Sequence, residues 1–492
     1  MTNVSGSVTV GIDIGTTATK AVAADQDGQV VARSRVVHRL RTPEPDHLEH
    51  EAGRAWRQGP LKALAQLAAA APEPVAVCVA SMVPSLTAVD ARGRPIAPGL
   101  LYGDARGRDP GPDRAVAGAA DEGAAGEGVS GRAEVTTVMP DAIGFLRWAA
   151  RECPTAAGYW PAQAVANFAL SGVPAIDTAM SMSLGELRVG TEWNLDMLRD
   201  IGVQPSQLPT VVPMAEKAAI VKGTGAVLAP GTVDALCDQL VAGADNSGDV
   251  LVICGATLVV WAVVDEWIEC PGLWTVPHLV QGKTMVGGPS NAGALFVDWA
   301  RSLLHGGFRR ATASSKDHAD TVHLYLRPGD PAGVERSGDP GRVPVWLPYL
   351  RGERAPYHDP SLRSGLHDLD ITHDATALER AAYEASGFVV RAMLERAGIK
   401  AKRIVASGGG TRVVPWMQGL ADAAGLPVDV VAVHEGAALG AAFMARMAAG
   451  LETSLNDAAR WARVGWRIEP DPRWQEAAAR RYSRFRALSP AT

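Results

Sequence analysis

Short Val- and Ile-rich runs alternate along this chain with longer segments rich in Ala and Leu. The runs PVAVCVASM, KRIVASGGG and LPVDVVAV predict buried strands, and the Ala/Leu segments predict helices. Strands alternating with helices predict an α/β architecture. The stretch VTVGIDIGTTATKAVAADQDGQVVA, Val8 to Ala32, opens with an apolar strand that carries one acid, Asp13. Gly15, Thr16, Thr17 and then Lys20 follow, with a second apolar run and an Asp-Gly turn behind them. The longest apolar run, VLVICGATLVVWAVV from Val250 to Val264, is broken by Gly255. It is shorter than the ~20 residues of a membrane helix and reads as two buried strands joined by a turn. Near the C-terminus, AARRYSRFRAL mixes arginines with apolar residues, as an amphipathic helix does rather than a basic binding arm.

A strand–glycine–threonine–strand unit therefore occurs twice, in VTVGIDIGTTATKAVAA and in DVLVICGATLVVWAVV. Each opens a long α/β half. The polar connection AGADNSGD places a boundary between domains 1–244 and 245–492. Two similar halves facing each other would form a cleft, a common location for ligands. The Gly/Ala/Glu-rich segment from Gly118 to Glu134 predicts a surface loop, and Arg327 to Arg342 predicts an excursion before the strand VPVWLPYL.

Composition narrows the class. At roughly 150 residues per domain, 492 residues predict two to four domains. A content of 47% hydrophobic and 20% charged residues is that of a globular protein with large cores. The net charge of -6 argues against non-specific nucleic-acid binding, which needs clustered cations. The five cysteines form no CxxC pair and sit mostly in apolar runs, which predicts buried thiols in a reducing compartment. The N-terminus lacks a basic-then-apolar pattern, so the expectation is a cytoplasmic protein without membrane contact.

The backbone N–H groups of a Gly/Thr turn between two strands suit an anion, since each brings partial positive charge with no side chain in the way. Thr16 and Thr17 add hydroxyls and Lys20 a full charge, unless Lys20 faces solvent. Asp13 fits such a turn if it faces Mg2+ bridging to phosphate oxygens. The alternative is an ordinary hairpin with a buried acid. Three glycines in SGGGTRVVPWMQGLAD, beginning at Ser407, permit close approach of a nucleotide before a helix. In PGTVDALCDQLVAG, Asp234 lies near a helix N-terminus. It is either an acid stabilised by the helix dipole or a general base. The Gly and Ala spacing in VHEGAALGAAFMA reads as close helix packing. PYLRGERAPYHDP, dense in proline, charge and aromatics, reads as a functional loop.

These motifs, in this order, resemble the FGGY family of carbohydrate kinases, and most closely its xylulokinase-like branch. DIGTTATK resembles the first phosphate motif, LLYGDARG a sugar-domain motif, and TVDALCDQL the catalytic-Asp segment. ICGATL resembles the second phosphate motif, and SGGGTRVVPWMQGLAD the adenosine motif. GGPSNAGALFVDW and PYLRGERAPYHDP resemble the middle signatures. The resemblance implies two ribonuclease-H-like domains of the actin–sugar kinase–Hsp70 type flanking a central cleft. It implies ATP and Mg2+ as cofactors. Gly15, Thr16, Thr17, Lys20, Gly255, Thr257, Gly409 and Gly410 would bind the nucleotide, and Asp13 and Asp234 would lie at the metal. Asp234 would be the general base towards a small sugar, a ketopentose such as xylulose. Met82, Val83, Pro84, Asp104 and Arg106 would line the sugar. Family members are often dimers, which leaves a homodimer open.

The chain also departs from the pattern. SMVPS, Ser81 to Ser85, stands where many xylulokinase-like proteins read GQMHG, so Pro84 replaces a sugar-contacting histidine. Ala235 replaces a polar residue after the catalytic Asp, and Ala256 replaces a threonine. Asp368 stands at a usual glycine. A tetritol, another polyol or a sugar-like metabolite is therefore the alternative substrate. A non-catalytic nucleotide-binding regulator is the alternative class.

Overall fold

The computed structural model describes residues 7–44, 46–108, 140–189, 192–279, 282–305 and 339–490. The loop expected over Gly118 to Glu134 lies outside these residues, as does most of the excursion from Arg327. The chain divides into two compact units. One comprises Met1–Val241 with Ala437–Trp461, the other Ala242–Gly436 with Ala462–Thr492.

The first unit is built on a seven-stranded sheet. Its central strand, Thr9–Ile14, is buried at every position, which explains a continuous apolar run instead of an alternating one. It pairs antiparallel with Ala18–Ala24 and parallel with Ala76–Ser81. The outer strand Val30–Val37 has one wet face and alternates exposed positions with half-buried ones, Ser34 alone being buried. A five-stranded sheet carries Leu40–Arg41, Glu49–His50, Gly99–Leu101, Ser85–Val89 and Gly158–Trp160. The core between these elements includes Ile12, Ile14, Trp56, Phe145 and Tyr159.

The second unit repeats the opening. Asp249–Cys254 pairs antiparallel with Leu258–Val264 and parallel with Arg403–Ser407. These are the two strands expected from the longest apolar run, within another seven-stranded sheet. The amphipathic helix at the C-terminus is present as Pro472–Leu488, with Trp474, Ala477, Ala478, Arg481, Tyr482 and Phe485 buried. All five cysteines are free; Cys78, Cys237 and Cys254 are buried. Among the described residues, no helix is long and apolar enough to cross a membrane.

One boundary needs correction. The expected second domain, 245–492, is not one body, because Ala437–Trp461 belongs to the first unit. Close packing is the reason. A Cβ on Gly11 would lie 1.8 Å from the Ala438 carbonyl oxygen, and one on Gly440 would lie 2.0 Å from the Cys237 carbonyl oxygen. Helix Gly436–Ala448 thus rests directly on strand Thr9–Ile14 and on helix Asp234–Ala242, backbone against backbone.

Candidate active site

Three parallel strand ends converge in the first unit. Asp13 is in register with Ala80, and Val233 with Ser81 on the other side of the same strand. Asp13 and Asp234 therefore flank the C-terminal end of Ala76–Ser81, the edge at which open α/β sheets bind ligands. Asp234 opens helix Asp234–Ala242, and its Oδ1 accepts from the Ala235 amide at 2.7 Å. It keeps an accessible face. Even so, the protein packed around its carboxylate, and then the charge of Asp13, push its pKa up to about 7.

Asp13 is buried, and burial raises its pKa against the pull of Lys20. Lys20 is its cross-strand neighbour, with Nζ 3.6 Å from Asp13 Oδ2. Asp13 Oδ1 is buried without a hydrogen-bond partner among the described residues. An orphaned carboxylate oxygen beside a second acid suits a hard divalent cation such as Mg2+. One or two carboxylates suffice for that ion when phosphate and water complete its shell. Among the described residues, no group of three or more His, Cys, Asp or Glu is gathered together.

The turn Gly15–Thr17 closes with the Gly15 amide donating to the Ala18 carbonyl at 3.1 Å. The two threonines differ. Thr16 is buried, and its hydroxyl shares a 2.8 Å hydrogen bond with the Tyr102 hydroxyl. Thr17 is exposed. Neither threonine amide donates to a protein acceptor among the described residues.

Ser85 pairs with Leu101, so the segment Met82–Pro84 and the segment beginning at Tyr102 emerge side by side. Met82 is packed into the core, Val83 is half-buried and Pro84 is buried. Asp104 is fully buried, with both oxygens committed. Oδ1 accepts from the Arg106 amide (2.9 Å) and Nε (2.8 Å), and Oδ2 from the Leu48 amide (2.6 Å) and Arg106 Nη2 (2.7 Å). Arg106 Nη2 also donates to Glu49 Oε2 at 2.9 Å, and its guanidinium lies over the Trp148 ring. Asp104 thus fixes Arg106 and has no lone pair directed elsewhere. Glu49 and Tyr102 escaped the sequence reading. Only strand pairing brings Glu49 opposite Leu100, and no spacing in the chain signals it.

In the second unit, Ile253 and Ser407 are in register, so Gly255 and the Gly408–Gly410 run leave adjacent strand ends. Gly408 has φ +91°, and a Cβ there would lie 2.8 Å from the Cys254 carbonyl oxygen. Gly409 has nothing within 4 Å of its Cβ position, whereas the Trp416 ring covers Gly410. Of the two, Gly409 has the open backbone. The Gly255 amide donates to the Thr257 carbonyl at 3.0 Å. The carbonyls of Gly255 and Ala256 accept from Ala294 and Leu295, at the start of helix Ala294–Leu304.

Residues 8–110 match the N-terminal domain of the FGGY family of carbohydrate kinases, and residues 250–449 match its C-terminal domain. Together the matches cover more than half of the chain. The chain belongs to the FGGY family. It is similar to a gluconokinase of Bacillus subtilis (26% identity, covering 90% of this chain and 88% of the relative). It is also similar to a xylulose kinase of Streptomyces coelicolor (28%, 97% and 93%). Among solved structures, the xylulose kinase from Rhodospirillum rubrum superimposes with a TM-score of 0.69 at 25% identity, covering 98% of both chains. The fold is thus the ribonuclease-H-like, actin-type fold of sugar kinases. FGGY kinases are ATP-dependent phosphotransferases, and that is the enzyme class of this chain.

Two departures from the FGGY pattern acquire a structural context. Asp368 has φ +60°, the left-handed region that a glycine at this position would occupy freely. Its carboxylate accepts from Arg484 Nε and Nη2, each at 3.0 Å, and this pairing holds its pKa below the ordinary value. The acid is therefore charge-compensated within its own unit. Ala235 contributes its amide to Asp234, a bond that requires no side chain.

Proposed function

We propose that this FGGY kinase transfers the terminal phosphate of ATP to a hydroxyl of a small sugar, with a ketopentose such as xylulose as the leading acceptor. The observation that carries the reading is Asp234. It sits at a strand end beside Asp13, opens helix Asp234–Ala242, and keeps an accessible face. A general base must lie within reach of the proton it takes, and that face leaves its carboxylate open to an acceptor hydroxyl. Asp234 accepts the proton of the sugar hydroxyl as that oxygen bonds to the γ-phosphorus and the bond from that phosphorus to the β,γ-bridging oxygen breaks, releasing ADP. The Thr16 and Thr17 amides and the Thr17 hydroxyl hold the terminal phosphates, Gly15 shapes the turn that presents them, and Lys20 adds charge beside Asp13. Asp13 and Asp234 would hold Mg2+, which neutralises phosphate charge when bound. Gly255, Thr257, Gly409 and Gly410 serve the nucleotide, with Gly409 as the point of closest approach. In the acceptor region, Arg106 donates to the sugar from the scaffold that Asp104 and Glu49 provide.

A polyol or a sugar acid is the second reading. Pro84 and Ala235 offer no side-chain donor to a ketose, and the relatives include a gluconokinase. The test is Mg2+-dependent ATP consumption against pentuloses, hexuloses, aldonates, tetritols, pentitols and glycerol, with Asp234→Ala alongside. The expected result is one strong acceptor and a loss on the order of 10²–10⁴-fold or more in the variant. Wild-type turnover by Asp234→Ala would refute the base. A strong aldonate or polyol hit with no pentulose activity would replace the leading acceptor.

A further inference from the structure

Two buried histidines grip the phosphate turn from behind. His38 is 5% exposed and His50 is 0% exposed. The Nε2 of His38 lies 2.9 Å from the Gly15 carbonyl oxygen, and the Nε2 of His50 lies 2.7 Å from that of Thr16. The His38 amide donates to the Thr17 carbonyl at 3.1 Å. Three consecutive carbonyls of the turn are thus held by one histidine pair, whose rings meet edge-on at 4.6 Å.

A carbonyl only accepts, so each Nε2 must carry its proton. For His50 the tautomer is fixed a second time, because Trp56 Nε1 donates to His50 Nδ1 at 2.9 Å and that nitrogen must keep its lone pair. Burial lowers the pKa of both rings, and for His50 the neighbouring His38 helps bring it to about 4. Both imidazoles are therefore neutral at physiological pH. Neutrality suits the arrangement, since a protonated Nδ1 on His50 would face the Trp56 N–H donor to donor.

In a trans peptide, the N–H points opposite to the preceding C=O. Pulling the Gly15 and Thr16 carbonyls towards the histidines turns the Thr16 and Thr17 amides the other way. Those are the two amides that donate to no acceptor among the described residues. We infer that His38 and His50 are positioning residues that aim the Thr16 and Thr17 amides at the ATP phosphates. They touch no substrate and act through the turn. The inference rests on the reading of Gly15–Thr17 as the phosphate turn.

The test compares binding of Mg-ATP and of adenosine, by calorimetry without sugar, in wild type, His50→Leu, His50→Gln and Thr17→Pro. Circular dichroism and thermal unfolding check the fold. His50→Leu is expected to weaken Mg-ATP at least about tenfold, as expected for losing roughly one aligned hydrogen bond, and to leave adenosine within about twofold. His50→Gln keeps an N–H donor near the Nε2 position and is expected to recover most of the loss. In turnover, the KM for ATP should rise while the KM for sugar holds. Equal weakening of ATP and adenosine, or no weakening in a folded His50→Leu, would overturn the inference. If His50→Leu does not fold, His38→Gln and His38→Leu make the same comparison at the Gly15 carbonyl. Thr17→Pro deletes a turn amide directly. If it weakens ATP and the histidine variants do not, the histidine role fails and the turn reading stands. If it too leaves ATP untouched, both fail together.

Discussion

Glu384 shows how far a single buried residue can be tied to its surroundings. It has no exposure, and Arg481 grips it through Nε and Nη2, both at 2.7 Å. Arg380 Nε adds a third bond at 2.8 Å, and Arg380 Nη2 reaches on to Asp422 at 2.7 Å. Burial alone would raise the Glu384 pKa. The charges and hydrogen bonds of Arg380 and Arg481 outweigh it and hold the pKa below the ordinary 4.5. A depressed folded pKa means that the unfolded chain binds more protons in the window between the two values. The contribution to stability is therefore complete above about pH 4.5 and lost as pH falls through the folded pKa. Glu384→Gln leaves two guanidinium groups facing a neutral partner. It is expected to lose roughly 3–5 kcal/mol at pH 7, with the gap to wild type narrowing below about pH 4.5. Urea denaturation at the two pH values measures this; equal midpoints at pH 7 would contradict it. At the same scale, the sequence singled out Asp13 and the two threonines in one motif, and Asp234 in another, as candidates. It could not tell that Thr16 turns its hydroxyl to Tyr102 while Thr17 faces out, because that depends on a residue 86 positions away in sequence.

Helix Gly436–Ala448 is the element whose sequence was read correctly and whose place was not. Its Gly and Ala spacing predicts close packing, and Gly440 meets the Cys237 carbonyl oxygen at 2.0 Å from its Cβ position. Which surface it packs on is invisible in the spacing, and that surface belongs to the first unit. Gly440→Ala separates two effects of opposite sign. Helix propensity alone would stabilise by about 1 kcal/mol. The clash, against backbone that cannot yield cheaply, is expected to dominate and destabilise by about 1–3 kcal/mol or more, a fall of several degrees in Tm. A higher Tm would show that the packing is looser than described. Paired hairpins such as Asp249–Cys254 with Leu258–Val264 were legible because both strands are buried, apolar and broken at Gly255.

For the whole molecule, the chain crosses between the two units three times, at Val241–Ala242, Gly436–Ala437 and Trp461–Ala462. A fragment ending at residue 244 lacks the helix that covers strand Thr9–Ile14 and helix Asp234–Ala242. It is expected to aggregate or to lack protected amides in hydrogen exchange, because an apolar sheet face would be exposed to water. A fragment of 1–244 with a cooperative transition and protected amides in Thr9–Ile14 would show that the helix is dispensable. The enzyme as a whole is expected to consume ATP only with Mg2+ and to be stimulated by its sugar, as set out for Asp234.

The sequence by itself determined the α/β class, the duplicated strand–turn–strand opening, the FGGY resemblance and the candidate residues of both phosphate motifs. These follow from local pattern: burial on both faces enforces continuous apolar runs, and a phosphate site would call for glycine and threonine turns. Tertiary structure alone decided which partners each residue meets. Strand pairing set Asp13 and Asp234 on either side of Ala76–Ser81. It brought Glu49 to Arg106 and placed His38 and His50 behind the Gly15–Thr16 carbonyls. Backbone contact returned residues 437–461 to the first unit. Such contacts join residues far apart in the chain, and their free energy depends on separation in space, which a linear pattern does not encode.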